Sequence, residues 1–321
     1  MDLSIFFAGT AGSVPTARRG LPATLVRLGS DKVLIDCGEG TQRQLVRSVG
    51  LPEITEVFLT HLHLDHWLGL PGMLKSFELR DRTTPMTVYG PPGTQELMEV
   101  MRRTVFGRLK YRLAVVDLEP DAIVEFDGYE IQAMRVRHRG ESYGYALIED
   151  DRPGRFDAES AKRLGVPFGP DFGRLQRGET VNGVTPEQVV GEPRRGRRIV
   201  FSGDTRPCDM VRVTADGADV LVHEATFTSE ERERAMETGH STAAQAAELA
   251  LEAGVELLAL THLSTRYMGR EIRDEARAIF PNTEVPRDFD LIDVPFPEKG
   301  PPELHRWDPS RPMSVAPAPG A

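Results

Sequence analysis

Short apolar runs and two-residue alternations dominate the chain, separated by stretches whose apolar residues recur every three or four positions. In the first half, residues 3–8, 23–28 and 32–36 read as strands, 39–48 as a helix, 55–60 as a strand and 69–80 as a helix. A strand at 86–89 and a helix at 94–106 follow, the helix signalled by Leu97, Met98, Val100 and Met101 at helical spacing. Paired strands are expected at 113–117, 122–126, 129–138 and 143–149. The second half repeats the theme with strands at 198–202, 219–223, 256–261 and 289–294, and helices at 242–253 and 269–279. Two comparable α/β halves emerge, without internal sequence repeats. Between them residues 151–197 break the pattern: the segment is rich in Gly, Pro and Arg, with a single short helix near 157–164. Such a long, weakly structured insertion is usually functional or disordered. From Pro295 to Ala321 the proline-rich composition predicts a disordered tail, in which His305 is a bystander.

The bulk properties narrow the class. With 321 residues, 40% hydrophobic and 27% charged, the chain can bury a sizeable core. No stretch approaches about 18 uninterrupted apolar residues, so no membrane span is expected. The start, from Met1 to Phe7, reads as a first strand and not as a signal peptide. Cys37 and Cys208 are the only cysteines, which argues against a disulfide framework and for a reducing cytoplasm. Cys37, within Leu34-Ile35-Asp36-Cys37-Gly38, reads as a small buried residue at a strand end. A formal net charge of −10 argues against coating of nucleic acid by general attraction, so any RNA contact must be local.

The candidate chemistry is concentrated after Val57-Phe58-Leu59-Thr60, where His61-Leu62-His63-Leu64-Asp65-His66 places four metal-capable side chains in six residues. Successive side chains leaving a strand point to opposite sides, so His61 and His63 share one side, and the following turn brings Asp65 and His66 to a second point. That spacing suggests two metals. His138 ends the alternating run from Tyr129, Asp204 follows Phe201 in Ser202-Gly203-Asp204-Thr205, and His262 follows Leu257–Thr261. Four strand ends thus each offer a ligand type, as α/β sheets do at the carboxyl edges of their strands.

The order His-x-His-x-Asp-His, lone His, Ser-Gly-Asp-Thr, Thr-His resembles the metal-binding series of the metallo-β-lactamase superfamily, and within it the ribonuclease Z family. The closer signals are Phe7-Ala8-Gly9-Thr10, Leu68-Gly69-Leu70-Pro71-Gly72, Val222-His223-Glu224-Ala225-Thr226-Phe227, Gly239-His240-Ser241-Thr242 and Thr261-His262-Leu263-Ser264-Thr265-Arg266-Tyr267. The resemblance implies a four-layer αββα sandwich over residues 1–294, an inserted arm at 151–196 that grips tRNA away from the active site, and a tail at 295–321. It also implies two zinc ions per subunit: His61, His63 and His138 on one, Asp65, His66 and His262 on the other, with Asp204 bridging. Manganese and cobalt suit the same ligands. Asp65 is then the candidate to orient or deprotonate water, His240 the candidate acid, and Glu224 the group that holds its ring, while His223 is structural. Lys162, Arg163, Arg174 and Arg177 are candidate arm contacts.

The activity implied is removal of 3′ trailers from precursor tRNA, leaving a tRNA 3′-hydroxyl and a trailer 5′-phosphate, by a homodimer. Two departures stand out: Leu64 occupies a position where the family often has glycine, and Pro15-Thr16-Ala17-Arg18-Arg19-Gly20 keeps only the proline and arginine of the family's Pro-x-Lys-x-Arg-Asn element. The same metals on the same fold also suit a hydrolase of small phosphodiesters or sulfate esters, or a 3′ exonuclease of the ribonuclease BN type. A non-catalytic RNA-binding scaffold is disfavoured because every ligand position is filled.

Overall fold

Most strands bury both faces, which is why their sequences read as near-continuous apolar runs. In the strand Leu3–Gly9 (β1), Leu3, Ile5 and Phe7 enter one layer of core while Phe6 and Ala8 enter another. The computed structural model describes residues 2–310. The next strands are β2 (Ala23–Leu28), β3 (Asp31–Ile35), β4 (Glu56–Phe58), β5 (Met86–Gly90) and β6 (Leu113–Asp117). They are followed by β7 (Ile123–Phe126), β8 (Tyr129–Arg135), β9 (Tyr143–Glu149), β10 (Arg198–Phe201) and β11 (Val220–Glu224). The last are β12 (Leu257–Thr261), β13 (Thr283–Glu284), β14 (Leu291–Asp293) and β15 (Glu303–His305). One sheet has the order β15-β14-β1-β2-β3-β4-β5-β6, the other β13-β12-β11-β10-β9-β8-β7.

Between the sheets lie Ile5, Phe7, Phe58, Tyr143, Tyr145, Ile199, Val220 and Val222. The outer face of the first sheet packs on helices Thr41–Ser48, Leu70–Leu79 and Thr94–Met101 through Leu45, Met73, Leu74, Phe77 and Met98. That of the second packs on Asp209–Thr214, Ala243–Ala253 and Gly269–Arg277 through Val211, Ala247, Ala250 and Ile272. This is the expected αββα sandwich. Among the described residues no helix is long and apolar enough to cross a membrane.

Three expectations change. Residues 113–117 and 122–126 do not pair: β6 lies parallel to β5, whereas β7 pairs with β8 in the other sheet. Pro120 and Asp121 turn the chain between them, so sequence neighbours end in different layers. Residues 295–310 are not a disordered tail. Leu304 packs on the inter-sheet core, β15 pairs with β14, and Trp307 meets Phe289 edge-on at 4.8 Å between ring centroids. His305 contacts Asp293 at 3.1 Å; residues 311–321 lie outside the described part. The insertion, finally, is more ordered than its composition suggests. It joins antiparallel neighbours β9 and β10, carries helices Ala158–Arg163 and Pro170–Gln176, and closes its own core of Ala161, Val166, Phe172, Leu175, Val181, Val184 and Val189.

Candidate metal centre

Adjacent strand ends of the two sheets bring the ligand-type residues together. His61 and His63 follow β4, and His63 precedes a one-turn helix, Leu64–Trp67, whose turn presents Asp65 and His66. His138 follows β8, Asp204 follows β10 and His262 follows β12. His262 is held in the left-handed region (φ 56°), a conformation a non-glycine residue keeps only when its surroundings impose it. The loop after β1 closes over this residue. A Cβ on Gly12 would stand 2.5 Å from His262 Nδ1, so a side chain there is excluded by the close approach.

His61 Nε2 lies 2.9 Å from His63 Nδ1, which is 3.3 Å from His138 Nε2. On the second side, Asp65 Oδ2 is 3.6 Å from His66 Nε2 and 3.5 Å from His262 Nε2. Asp204 Oδ2 stands between the groups, 3.8 Å from His61 Nε2, 3.4 Å from His66 Nε2 and 3.2 Å from His262 Nε2. Two ligands bound at about 2.0–2.1 Å in a tetrahedral shell are separated by about 3.3 Å, and the separations here, from 2.9 to 3.8 Å, lie around that value. The Nε2 atoms of His66 and His262 are buried and make no hydrogen bond. Buried donors and acceptors without partners are costly, and a cation at these two atoms removes the cost. The residues present therefore fit a metal pair.

Protonation agrees with that use. Burial holds His61, His63 and His138 below the ordinary imidazole value, leaving neutral lone-pair donors. For Asp65, burial is outweighed by the neighbouring His262 and His66 rings, so its carboxyl stays ionised. Burial also opposes a proton on His66, but the Asp204 and Asp36 carboxylates overcome it and drive the ring well above its usual value. A cation at Nε2 supplies the positive charge that this proton otherwise brings.

A supporting layer fixes the rings, and most of it was not anticipated from sequence. His66 Nδ1 donates to Asp36 Oδ2 at 2.8 Å, and Asp36 accepts from the Thr60 hydroxyl at 2.9 Å, which in turn accepts from His61 Nδ1 at 3.0 Å. His138 Nδ1 donates to the Gly239 carbonyl at 2.7 Å. His262 Nδ1 donates to Thr226 Oγ1 at 2.8 Å, which donates to Glu224 Oε2 at 2.6 Å. Such partners set the tautomer that presents the other nitrogen to a metal. Ser13 N donates to Asp65 Oδ2 at 2.9 Å. The available signals were an Asp at the end of an apolar run and Thr residues beside ligands, both too common to single out.

Glu224 and His240 meet as expected: His240 Nδ1 donates to Glu224 Oε1 at 2.8 Å. Burial works against charge on His240, yet the Glu224 carboxylate and then Asp204 raise it to about 9. Cations held by the neighbouring residues would push the other way. His223 is buried with Nδ1 donating to the Glu224 carbonyl at 2.7 Å, a main-chain role. Cys37 is buried with its thiol pushed up to about 12 by burial, and its N–H donates to the His66 carbonyl at 2.7 Å. Arg19 does not reach the metal ligands; it donates to Thr10 Oγ1 at 2.5 Å and to the Pro286 carbonyl at 2.9 Å. In the arm, Lys162 pairs with Glu159, Arg174 with Asp171 and Glu179, and Arg177 with Glu179, while Arg163 donates to Ser160. The charges of Lys162, Arg174 and Arg177 are thus locally compensated.

The family described as "Beta-lactamase superfamily domain" matches residues 31–263. The ribonuclease Z of Natronomonas pharaonis is 46% identical over 308 residues, spanning 93% of this chain and 100% of that protein. The ribonuclease Z of Methanosarcina mazei is 45% identical over 301 residues, 92% of this chain and 99% of the relative. Among solved structures, the short form of human tRNase Z superposes with a TM-score of 0.68 at 27% identity, covering 91% of this chain and 99% of that one. The metallo-β-lactamase fold protein YhfI of Bacillus subtilis reaches the same TM-score at 18% identity, a likeness of fold alone.

Proposed function

The chain belongs to the ribonuclease Z family of the β-lactamase superfamily, and on that premise we infer that it is an endoribonuclease removing 3′ trailers from precursor tRNA. The observation that carries the reading is the convergence of His61, His63, Asp65, His66, His138, Asp204 and His262 with two buried imidazole nitrogens left for a metal. A pair of divalent ions there, zinc in our reading with manganese or cobalt as substitutes, supplies a nucleophile at neutral pH and stabilises charge on the phosphoryl oxygens.

The chain's own groups do the rest. The ionised Asp65, anchored by Ser13 N–H, orients the attacking water and accepts its proton. A tRNA 3′-hydroxyl and a trailer 5′-phosphate require cleavage of the bond between phosphorus and the 3′ oxygen. His240, held through Nδ1 by Glu224, leaves Nε2 free to protonate that departing oxygen. The arm at 151–196 holds the tRNA body. We further propose a homodimer in which one subunit's arm serves its partner's site, working in the cytoplasm, where the two buried free cysteines suit a reducing medium.

Incubating the purified protein with a trailer-bearing precursor tRNA and mapping the new ends tests this. The expected result is one cut at the trailer junction, abolished by chelator. Stepwise shortening from the 3′ end, or cleavage of small phosphodiesters with the precursor left intact, would overturn it.

A further inference from the structure

The arm meets the body at two stalks that bridge each other: Arg152 N donates to the Arg194 carbonyl at 2.8 Å, and Arg194 N donates to the Arg152 carbonyl at 2.9 Å. Both guanidinium groups then reach one carboxylate. Arg152 binds Glu298 in a fork, 2.8 Å to Oε1 and 3.0 Å to Oε2, and Arg194 adds a third bond of 2.9 Å to Oε1. The ring of Phe296 lies under Arg152, 3.5 Å from the guanidinium carbon to its centroid, and under Arg197 at 4.0 Å. Arg197 is buried, pairs with Glu149 at the end of β9 and donates to the Val294 carbonyl at 2.7 Å. Phe296 and Glu298 therefore sit where the first stalk leaves β9 and the second enters β10.

We propose that Phe296 and Glu298, on the turn beyond β14, are positioning residues that lock the arm's base and so fix the arm's direction relative to the metal centre. This rests on the reading of the arm as the tRNA-holding element. Neither sheet needs the contact to close, since β14 already pairs with β1 and the turn at 297–299 adds no ladder bonds. What the contact does is triangulate. Arg195 already forks onto Asp219 of the body at 2.8 and 3.0 Å and ties the second stalk alone; Glu298 is the point that takes both stalks at once and so limits rotation about their line of exit. The carboxylate takes both stalk arginines in a bidentate and monodentate set, stronger and more directional than a single exposed pair, while the aromatic face holds the Arg152 plane. Because a lever magnifies rotation at its base, slack there displaces the arm's distal surface while leaving the metal ligands where they are. Loss of the lock therefore weakens capture of a substrate that spans arm and site and spares one that touches the site alone.

The test compares wild type, Glu298→Ala, Glu298→Asp, Phe296→Ala and a deletion of residues 151–196 on two substrates. One is the full trailer-bearing precursor; the other is an acceptor-stem hairpin with the same trailer and no tRNA elbow. Losing the charge-assisted bonds raises KM for the full precursor roughly tenfold in Glu298→Ala with kcat unchanged, Glu298→Asp recovers part of it, and hairpin cleavage matches wild type. Phe296→Ala shifts KM the same way. An unchanged KM in both Glu298→Ala and Phe296→Ala, or equal losses on both substrates, overturns the lock. If the arm deletion itself leaves precursor cleavage intact, the reading of the arm fails instead.

Discussion

Removing one side chain from this centre leaves its neighbours as buried polar groups without partners, so loss of function and loss of fold must be separated at each position. Asp65 allows that separation, because it is partly exposed and held by a single main-chain donor. Asp65→Ala is expected to keep precursor tRNA affinity in a filter-binding assay while cleavage falls by roughly 10²–10⁴-fold, the range for losing a positioned base. For the proposed acid, His240→Ala is expected to lower kcat roughly 10²-fold, and adding Glu224→Ala to lower it further only through the His262 ring, which Glu224 also supports by way of Thr226. Full additivity in single-turnover rates would show that Glu224 acts through Thr226 and His262 and not through His240. At this scale the sequence was most readable where ligands are crowded, as in His61–His66, or sit directly after an apolar run. Asp36 and Thr226 were not readable. Each fixes a ring through a contact between residues 30 and 36 positions apart, and no local pattern encodes such a pairing.

Elements set how rigidly those residues are presented. The loop after β1 has room only for glycine at position 12, and Gly12→Ala is expected to displace His262 and lower metal occupancy, read by elemental analysis of folded protein. Wild-type occupancy in that variant would mean the loop yields without cost. On β4, burial pushes the Glu56 carboxyl up to about 7, against hydrogen bonds with Thr87 and Tyr89. The native state thus holds this proton more tightly than the unfolded chain does. Its stabilising effect is complete below about 4.5 and is lost as pH rises through about 7. Glu56→Gln, which stays neutral, should therefore match wild type at acid pH and exceed it above pH 7 by about 1 kcal/mol once solvent screening is allowed for. Thermal melts at both ends of that range check the sign; a gain only at low pH would reverse the argument. Periodicity located nearly all central strands because both faces are apolar. It missed the short helices Asp209–Thr214 and Arg232–Thr238, whose few turns carry too little pattern, and β15, a three-residue edge strand hidden among prolines.

Across the whole molecule, a net charge of −10 and a nucleic-acid substrate are compatible on the proposal that attraction is local to the metal centre and recognition to the arm. The sandwich itself came from resemblance in motif order, because periodicity assigns strands but not which sheet receives them, as β6 and β7 illustrate. The arm's core escaped notice since Val166, Phe172, Leu175 and Val181 are spread through glycine and proline with no regular period. The claim beneath all of this is that remote strand ends hold two cations through a shared Asp204. Elemental analysis of folded protein, loaded with zinc and freed of excess, measures it directly. The account predicts two zinc ions per chain in the wild type and a loss of both sites' tight binding in Asp204→Ala; a wild-type protein that retains none or one, or an Asp204→Ala variant that keeps two, would contradict it.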